Sequence, residues 1–170
     1  MLFIVCGLSE VERLTAERRP SHLLTLIDPS TEVPTPSAYA QGRHLKLGLN
    51  DIVAPAEGLT LPDRAAVERM YAFAAGWDER APMLIHCWAG ISRSTAAAFA
   101  LACERSPRAD ELAVALALRR AAPHAWPNRR IVALADDVLG RSGRMVQAVD
   151  AMGEYDHTVA RPFDFAARHA

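Results

Sequence analysis

The sequence predicts an α/β fold with a central, mostly parallel sheet of four to five strands flanked by helices. Three observations predict it. Short apolar runs, partly β-branched, recur at residues 2–6, 22–27, 44–49 and 83–86. Segments with helically spaced apolar residues separate some of these runs and follow the last one. The resulting order, β-α-β-β-α-β and then helices, is the alternation that lays helices on the faces of a parallel sheet.

Taken in chain order, Leu2 to Cys6 read as a buried strand. Ser9 and Glu12 have capping-box spacing and open a helix reaching about Arg18, which Pro20 ends. His22 to Ile27 form the second strand, stopped by Asp28-Pro29. Residues 28–37 carry three prolines among small polar residues and form a loop. Residues 44–49 form the third strand, followed by Asn50-Asp51 and a loop through Pro55 and Gly58. Thr60 and Asp63 repeat the capping-box spacing around Pro62. Val67, Met70, Tyr71, Ala74 and Trp77 then recur at helical spacing, so 62–77 is an amphipathic helix. Residues 83–86 are a short buried strand that runs into Cys87, and the nearly all-apolar stretch from Ser94 to about Cys103 is a buried helix. Helices at about 109–121, 127–139 and 142–152 follow, with Pro127 at the start of one and Gly140 at its C-terminal cap. Residues 154–170 show no clear period and read as a docked or a loose tail.

Composition narrows the function classes. With 170 residues, 51% of them apolar and 23% charged, the chain suits one domain with a sizeable core, at 1–153 with a tail after it. Formal net charge is −1 with both signs interspersed, which gives no footprint for nucleic acid or an anionic membrane surface. No segment approaches the ~20 apolar residues of a membrane span. Cys6, Cys87 and Cys103 are odd in number and irregularly spaced, which argues against a disulfide framework, and no CxxC or HxxxH pair supports a metal site. The short apolar N-terminus lacks the basic region and cleavage site of a signal peptide. A reducing cytoplasm is the expected setting, and it keeps a reactive thiol free.

The run His86-Cys87-Trp88-Ala89-Gly90-Ile91-Ser92-Arg93-Ser94 carries the chemistry. A phosphate monoester bears about two negative charges at pH 7. Attack at its phosphorus needs a strong nucleophile, a cradle of donors and a proton for the leaving oxygen. Cys87 sits where a strand ends and a helix begins, so residues 88–93 are placed to wrap as a loop with inward N–H groups. Such a nest at a helix N-terminus binds anions, and the same dipoles favour a thiolate. Gly90 permits positive φ and close backbone approach. Arg93, six residues after Cys87, folds back so that its guanidinium fork matches two phosphate oxygens. Ser94 stands beside the thiol, where its hydroxyl donates to the sulfur when a phosphocysteine breaks down.

This Cys-x5-Arg spacing followed by Ser resembles the signature of the protein tyrosine phosphatase superfamily. The fuller run HCWAGISRS resembles its dual-specificity branch, where HCxAGxSRS is the usual form, here as a single catalytic domain of bacterial type. The resemblance covers most of residues 1–140, with strong motif identity confined to 86–94. It implies the cysteine-phosphatase fold, no cofactor, and a phosphorylated protein or small phosphomonoester as substrate. Trp88 departs from the family, which carries a smaller or polar residue there. The indole either shapes the pocket rim or packs outward as an anchor.

The family's general acid is an aspartate on the loop after the preceding strand, some thirty-odd residues before the cysteine. Asp51 matches: it follows the strand 44–49 and lies 36 residues before Cys87. One carboxylate serves in turn as acid and base. Asp63, explained by its capping-box position, and Asp28, also on a post-strand loop, are the rivals. The strand points His86 away from the pocket. The family implies that it bonds loop carbonyls rather than acting as a base. Asn128, in Trp126-Pro127-Asn128, resembles the family's Pro-Asn pair that buttresses the loop, or is a plain helix-start residue. Cys6 and Cys103 read as inert core thiols, and the remaining histidines as solvated.

Four other readings compete. A non-catalytic pseudophosphatase usually loses the Cys or the Arg, and both are present. Phosphoinositide or other small-molecule phosphatases on this fold tend to carry lysine inside the loop, and residues 88–92 hold none. Rhodanese-type sulfurtransferases have a shorter cysteine loop. Low-molecular-weight phosphatases and arsenate reductases carry the cysteine near the N-terminus.

Overall fold

Four of the predicted apolar runs are strands in the computed structural model, which describes residues 1–39 and 42–170. They are β1 (Leu2–Gly7), β2 (His22–Ile27), β3 (His44–Gly48) and β4 (Met83–Cys87). A fifth, β5 (Phe163–Ala166), comes from the segment after residue 153, which is docked rather than loose. The sheet order is β3-β2-β4-β1-β5, parallel except for β5, which pairs antiparallel with β1 at the edge.

The helices are α1 (Val11–Arg18), α2 (Arg64–Ala75), α3 (Arg93–Arg105), α4 (Glu111–Ala121), α5 (Arg129–Leu139) and α6 (Arg144–Asp150). Alternation along each strand splits the core in two. Phe3, Val5, Leu24, Leu26, Met83 and Ile85 face the large cluster with α2 to α6, whereas Ile4, Cys6, Leu23 and Leu84 face α1. α3 is buried from Arg93 to Cys103 and packs on β4, β1 and β2 from one side and on α2, α4 and α5 from the other. Its alanine-rich sequence permits that close approach on every face.

Both predicted capping boxes fail, for identifiable reasons. Leu8 N–H donates to the Trp88 carbonyl at 3.0 Å, and the tethered chain turns as a 3₁₀ segment over Leu8–Glu10. α1 therefore starts at Val11, and Glu10 rather than Ser9 precedes it. Thr60 exchanges backbone and side-chain hydrogen bonds with Asn50 at 2.8 Å, which keeps the chain extended through Pro62. Asp63 is itself the N-cap of α2, accepting from Ala66 N–H. α2 ends at Ala75, so Trp77 lies beyond the helix yet stays buried. Pro127 likewise lies outside α5, whose N-cap is Asn128, while Gly140 takes the expected left-handed C-cap.

The histidines are not solvated as a group. His22 and His124 are buried, His44 and His169 half-buried, and His157 exposed. Burial lowers the pKa of His22, His44, His124 and His169, so the apolar surroundings hold neutral rings.

Candidate active site

Cys87 ends β4 and Arg93 begins α3, so residues 88–92 form a loop at the C-terminal edge of the sheet. The loop sits directly on β1. Gly90 has φ +76°, and a Cβ there would fall 2.7 Å from the Cys6 carbonyl carbon and 2.8 Å from Gly7 N. Only glycine fits that contact.

The loop carbonyls are held from outside. The Cys87 carbonyl lies 3.3 Å from His86 Nδ1, and the Trp88 carbonyl accepts from Leu8 N–H. The Ile91 carbonyl accepts from Trp126 N–H at 2.9 Å and from the Thr95 hydroxyl. The Ser92 carbonyl accepts from Ala96 and Asn128 N–H groups. In a planar trans peptide the carbonyl and the following N–H point in opposite directions. Fixing these four carbonyls outward therefore turns the N–H groups of Trp88, Ala89, Ser92 and Arg93 inward, which is an anion nest at the start of α3.

Cys87 Sγ accepts from Gly90 N–H at 3.3 Å and lies 3.2 Å from Ser94 Oγ. Arg93 is buried, and its Nη1 donates to the Leu49 carbonyl at 2.8 Å. Its Nε has no hydrogen-bond partner among the described residues. Two carboxylates approach the guanidinium, Asp28 Oδ1 at 3.6 Å from Nη1 and Asp51 Oδ2 at 4.0 Å from Nε.

Asp51 thus stands at the loop. Its Oδ1 accepts from Ser92 Oγ at 2.7 Å and from Asn128 Nδ2 at 2.8 Å. Asn128 is a helix-start residue whose backbone N–H, not its side chain, meets the cysteine loop at the Ser92 carbonyl. Its Oδ1 caps α5 through the Arg130 and Ile131 N–H groups, and its Nδ2 reaches Asp51 and the Ile52 carbonyl. Asp63 is engaged at the start of α2.

Asp28, the other post-strand aspartate, also reaches the loop. Its carboxylate accepts from the Trp88 indole at 2.7 Å and from the Thr31 hydroxyl at 2.5 Å, beside Arg93. The Thr31 bond, helped by the indole and Arg93, holds its pKa below the usual carboxylate range against a burial effect of opposite sign. The reason that Asp28 reaches the loop is topological and not written along the chain: β2 neighbours β4, so the residue that follows β2 arrives beside the cysteine loop. Trp88 is half-exposed at the rim and tied down by Asp28.

His86 is fully buried on the face opposite Cys87. Burial pushes its pKa down to about 4, with Arg93 adding to the fall and the Cys87 carbonyl opposing it. Cys6 and Cys103 are buried, unpaired thiols pushed up to about 12 by burial. Among the described residues, no group of three or more His, Cys, Asp and Glu side chains is arranged to hold a metal ion.

No protein-family model matches this chain, and no curated protein matches its sequence. Solved structures do match its fold. DUSP15 is 18% identical, with a TM-score of 0.61 over 88% of this chain and 92% of that one. PTPMT1, solved in complex with PI(5)P, is 15% identical, with a TM-score of 0.60 over 86% and 91%. The Yvh1 phosphatase domain from Chaetomium thermophilum is 21% identical, with a TM-score of 0.58 over 83% and 92%. The chain shares the fold of these phosphatases.

Proposed function

We propose that this protein is a cysteine-dependent phosphomonoester hydrolase of the protein tyrosine or dual-specificity type, working through a phosphocysteine intermediate. One observation carries the reading. Cys87 Sγ lies within hydrogen-bond reach of Gly90 N–H and Ser94 Oγ, in a loop whose outward carbonyls turn four N–H groups inward and which ends at the buried Arg93.

In this reading the nest and Arg93 bind the phosphoryl oxygens, and the thiolate attacks phosphorus in line. Asp51 gives its proton to the leaving oxygen. A water molecule then attacks the phosphocysteine, with Asp51 as base and Ser94 donating to the departing sulfur. Thiolate and arginine supply nucleophile and charge neutralisation, so no metal or cofactor is needed. The substrate is a phosphorylated protein or small phosphomonoester. Trp88 to Ser92 hold no basic side chain for a second phosphate, which favours a singly phosphorylated group over a phosphoinositide. No helix among the described residues is long and apolar enough to cross a membrane, and a reducing cytoplasm suits the free thiol.

The test is hydrolysis of phosphotyrosine, phosphoserine, phosphoinositide and a small aryl phosphate, in excess chelator. Wild type turns over at least the aryl phosphates. Cys87→Ser binds but does not turn over, because an alkoxide is not accessible at neutral pH. Arg93→Lys loses most activity, because a point charge cannot replace the fork. Turnover by Cys87→Ser close to wild type would end the reading.

A further inference from the structure

Away from the groups that would meet substrate, a chain of side-chain hydrogen bonds crosses three adjacent strands and ends on the nucleophile's backbone. Thr35 Oγ1, on the loop after β2, lies 2.8 Å from His44 Nδ1. His44 Nε2 lies 2.8 Å from Thr25 Oγ1, and the same hydroxyl lies 2.7 Å from His86 Nε2. His86 Nδ1 lies 3.3 Å from the Cys87 carbonyl. Thr25 and His86 are direct partners in the β2–β4 register, and both extend the α1-facing row begun by Leu23 and Leu84.

Proton counting fixes the direction of every bond. A carbonyl only accepts, so His86 Nδ1 carries the proton. A neutral imidazole has one N–H, so His86 Nε2 accepts, and its donor is Thr25. The Thr25 hydroxyl has one proton, which is now used, so His44 Nε2 must donate to it. His44 Nδ1 is then an acceptor, filled by Thr35. With both rings neutral, this is the one arrangement that satisfies all four contacts. Burial keeps the rings neutral, pushing each pKa to about 4, with Lys46 adding to the fall at His44 and Arg93 at His86.

We propose that His44, with Thr35 and Thr25, is a positioning residue that fixes the His86 tautomer and so holds the Cys87 carbonyl outward, aiming the Trp88 N–H into the anion nest. The inference rests on the hydrolase reading only in taking that nest as the phosphoryl site. The chain of bonds links the loop after β2 to the first donor of the nest, although neither Thr35 nor His44 touches it.

Two measurements on the full chain test this without turnover, so they fail independently of the hydrolase reading. Long-range proton–nitrogen NMR on histidine-labelled wild type, between pH 6 and 8, should find His86 protonated at Nδ1 and His44 at Nε2. The opposite tautomer at either ring, or a mixture, overturns the proposal. The second measurement is inorganic phosphate affinity by calorimetry. Losing one net hydrogen bond of about 0.5–1.5 kcal/mol should weaken binding about 2- to 12-fold in His44→Leu and in Thr25→Val. The double variant should be no weaker than the worse single one, because both break one chain. His44→Gln, whose amide N–H substitutes for Nε2, should recover most of the loss. Additive losses, or wild-type affinity in His44→Leu, overturn the proposal. If Thr25→Val fails to fold, the wild-type tautomers still decide.

Discussion

Cys87, Gly90, Arg93 and Ser94 come from one short run and are buried, whereas Asp28 and Asp51 come from two other connections and, together with Trp88 of the same run, face solvent in part. The first group forms the floor of the site and the second its rim. The floor is set by local backbone geometry: a strand–helix junction, a glycine pressed on β1, and carbonyls bound from behind. The rim is set by sheet order. β2 and β3 lie on the same side of β4, and parallel strands present their C-terminal ends together, so the residues after them arrive at the cysteine loop. A fault in the floor should remove phosphate binding itself. A fault in the rim should alter binding only severalfold, and at Asp51 it should change what happens to the leaving group.

The largest effect is expected at Gly90. An alanine Cβ would meet backbone atoms of Cys6 and Gly7 at 2.7 and 2.8 Å, and backbone cannot swing aside as a side-chain tip can. The φ of +76° adds strain for any L side chain. Gly90→Ala should cost about 2–5 kcal/mol of stability, or shift the loop and lose phosphate binding, or both. Thermal melts and phosphate calorimetry read the two outcomes. A variant with wild-type melting and wild-type phosphate affinity would show that the floor is not rigid, and the contrast with the rim would dissolve.

The next effect belongs to Asp51. Asp51→Asn keeps the shape that Ser92 and Asn128 hold, but it has no proton to give. Phosphotyrosine hydrolysis should slow by about 10²–10⁴-fold, the usual contribution of general acid–base catalysis. An activated phenol leaves unaided, so its phosphate should slow far less while intermediate formation limits the rate. Asp63→Asn is the control, because its carboxylate caps α2; it should cost at most about 1 kcal/mol of stability and leave the leaving-group series flat. The assignment is wrong if Asp51→Asn shows no leaving-group dependence.

The same contrast decides what the sequence could reveal. The run from His86 to Ser94 could be read because its meaning is local: residue types, their spacing and a strand–helix junction lie within one stretch. Asp51 is pointed to by the strand before it and by the family resemblance, and it stands beside Ser92 and Arg93. Asp28 was given a minor place because nothing along the chain says that β2 neighbours β4. The Thr35–His44–Thr25–His86 chain was illegible for the same reason, since it runs across strands rather than along one. Ser9 and Thr60 misled because capping-box spacing is a local preference, and each residue sits in a stretch that tertiary hydrogen bonds hold otherwise. The fifth strand has only four residues, of which Phe163 and Phe165 face the core, too short for periodicity to separate it from a tail.

The smallest effect is expected at Asp28, where rim and floor touch. Its carboxylate holds the Trp88 indole and stands 3.6 Å from Arg93 Nη1, without the Ser92 and Asn128 contacts that aim Asp51. Asp28→Asn retains an oxygen for the indole and removes one negative charge beside the arginine. A partly exposed pair of this kind contributes up to about 1 kcal/mol, so inorganic phosphate should bind up to about fivefold tighter. Turnover should change by a similar factor whatever the leaving group. The pH dependence follows from the lowered pKa of Asp28. Its contribution to stability is fully present above the unfolded carboxylate value of about 3.9 and is lost as pH falls through the lower folded value. Melting curves of wild type and Asp28→Asn should therefore differ by a constant amount from pH 5 to 7 and converge below about pH 4. A loss of 10²-fold or more that grows with the leaving group's basicity would make Asp28 the acid. In that event the two rim carboxylates exchange roles, while the roles proposed for Cys87 and Arg93 stand.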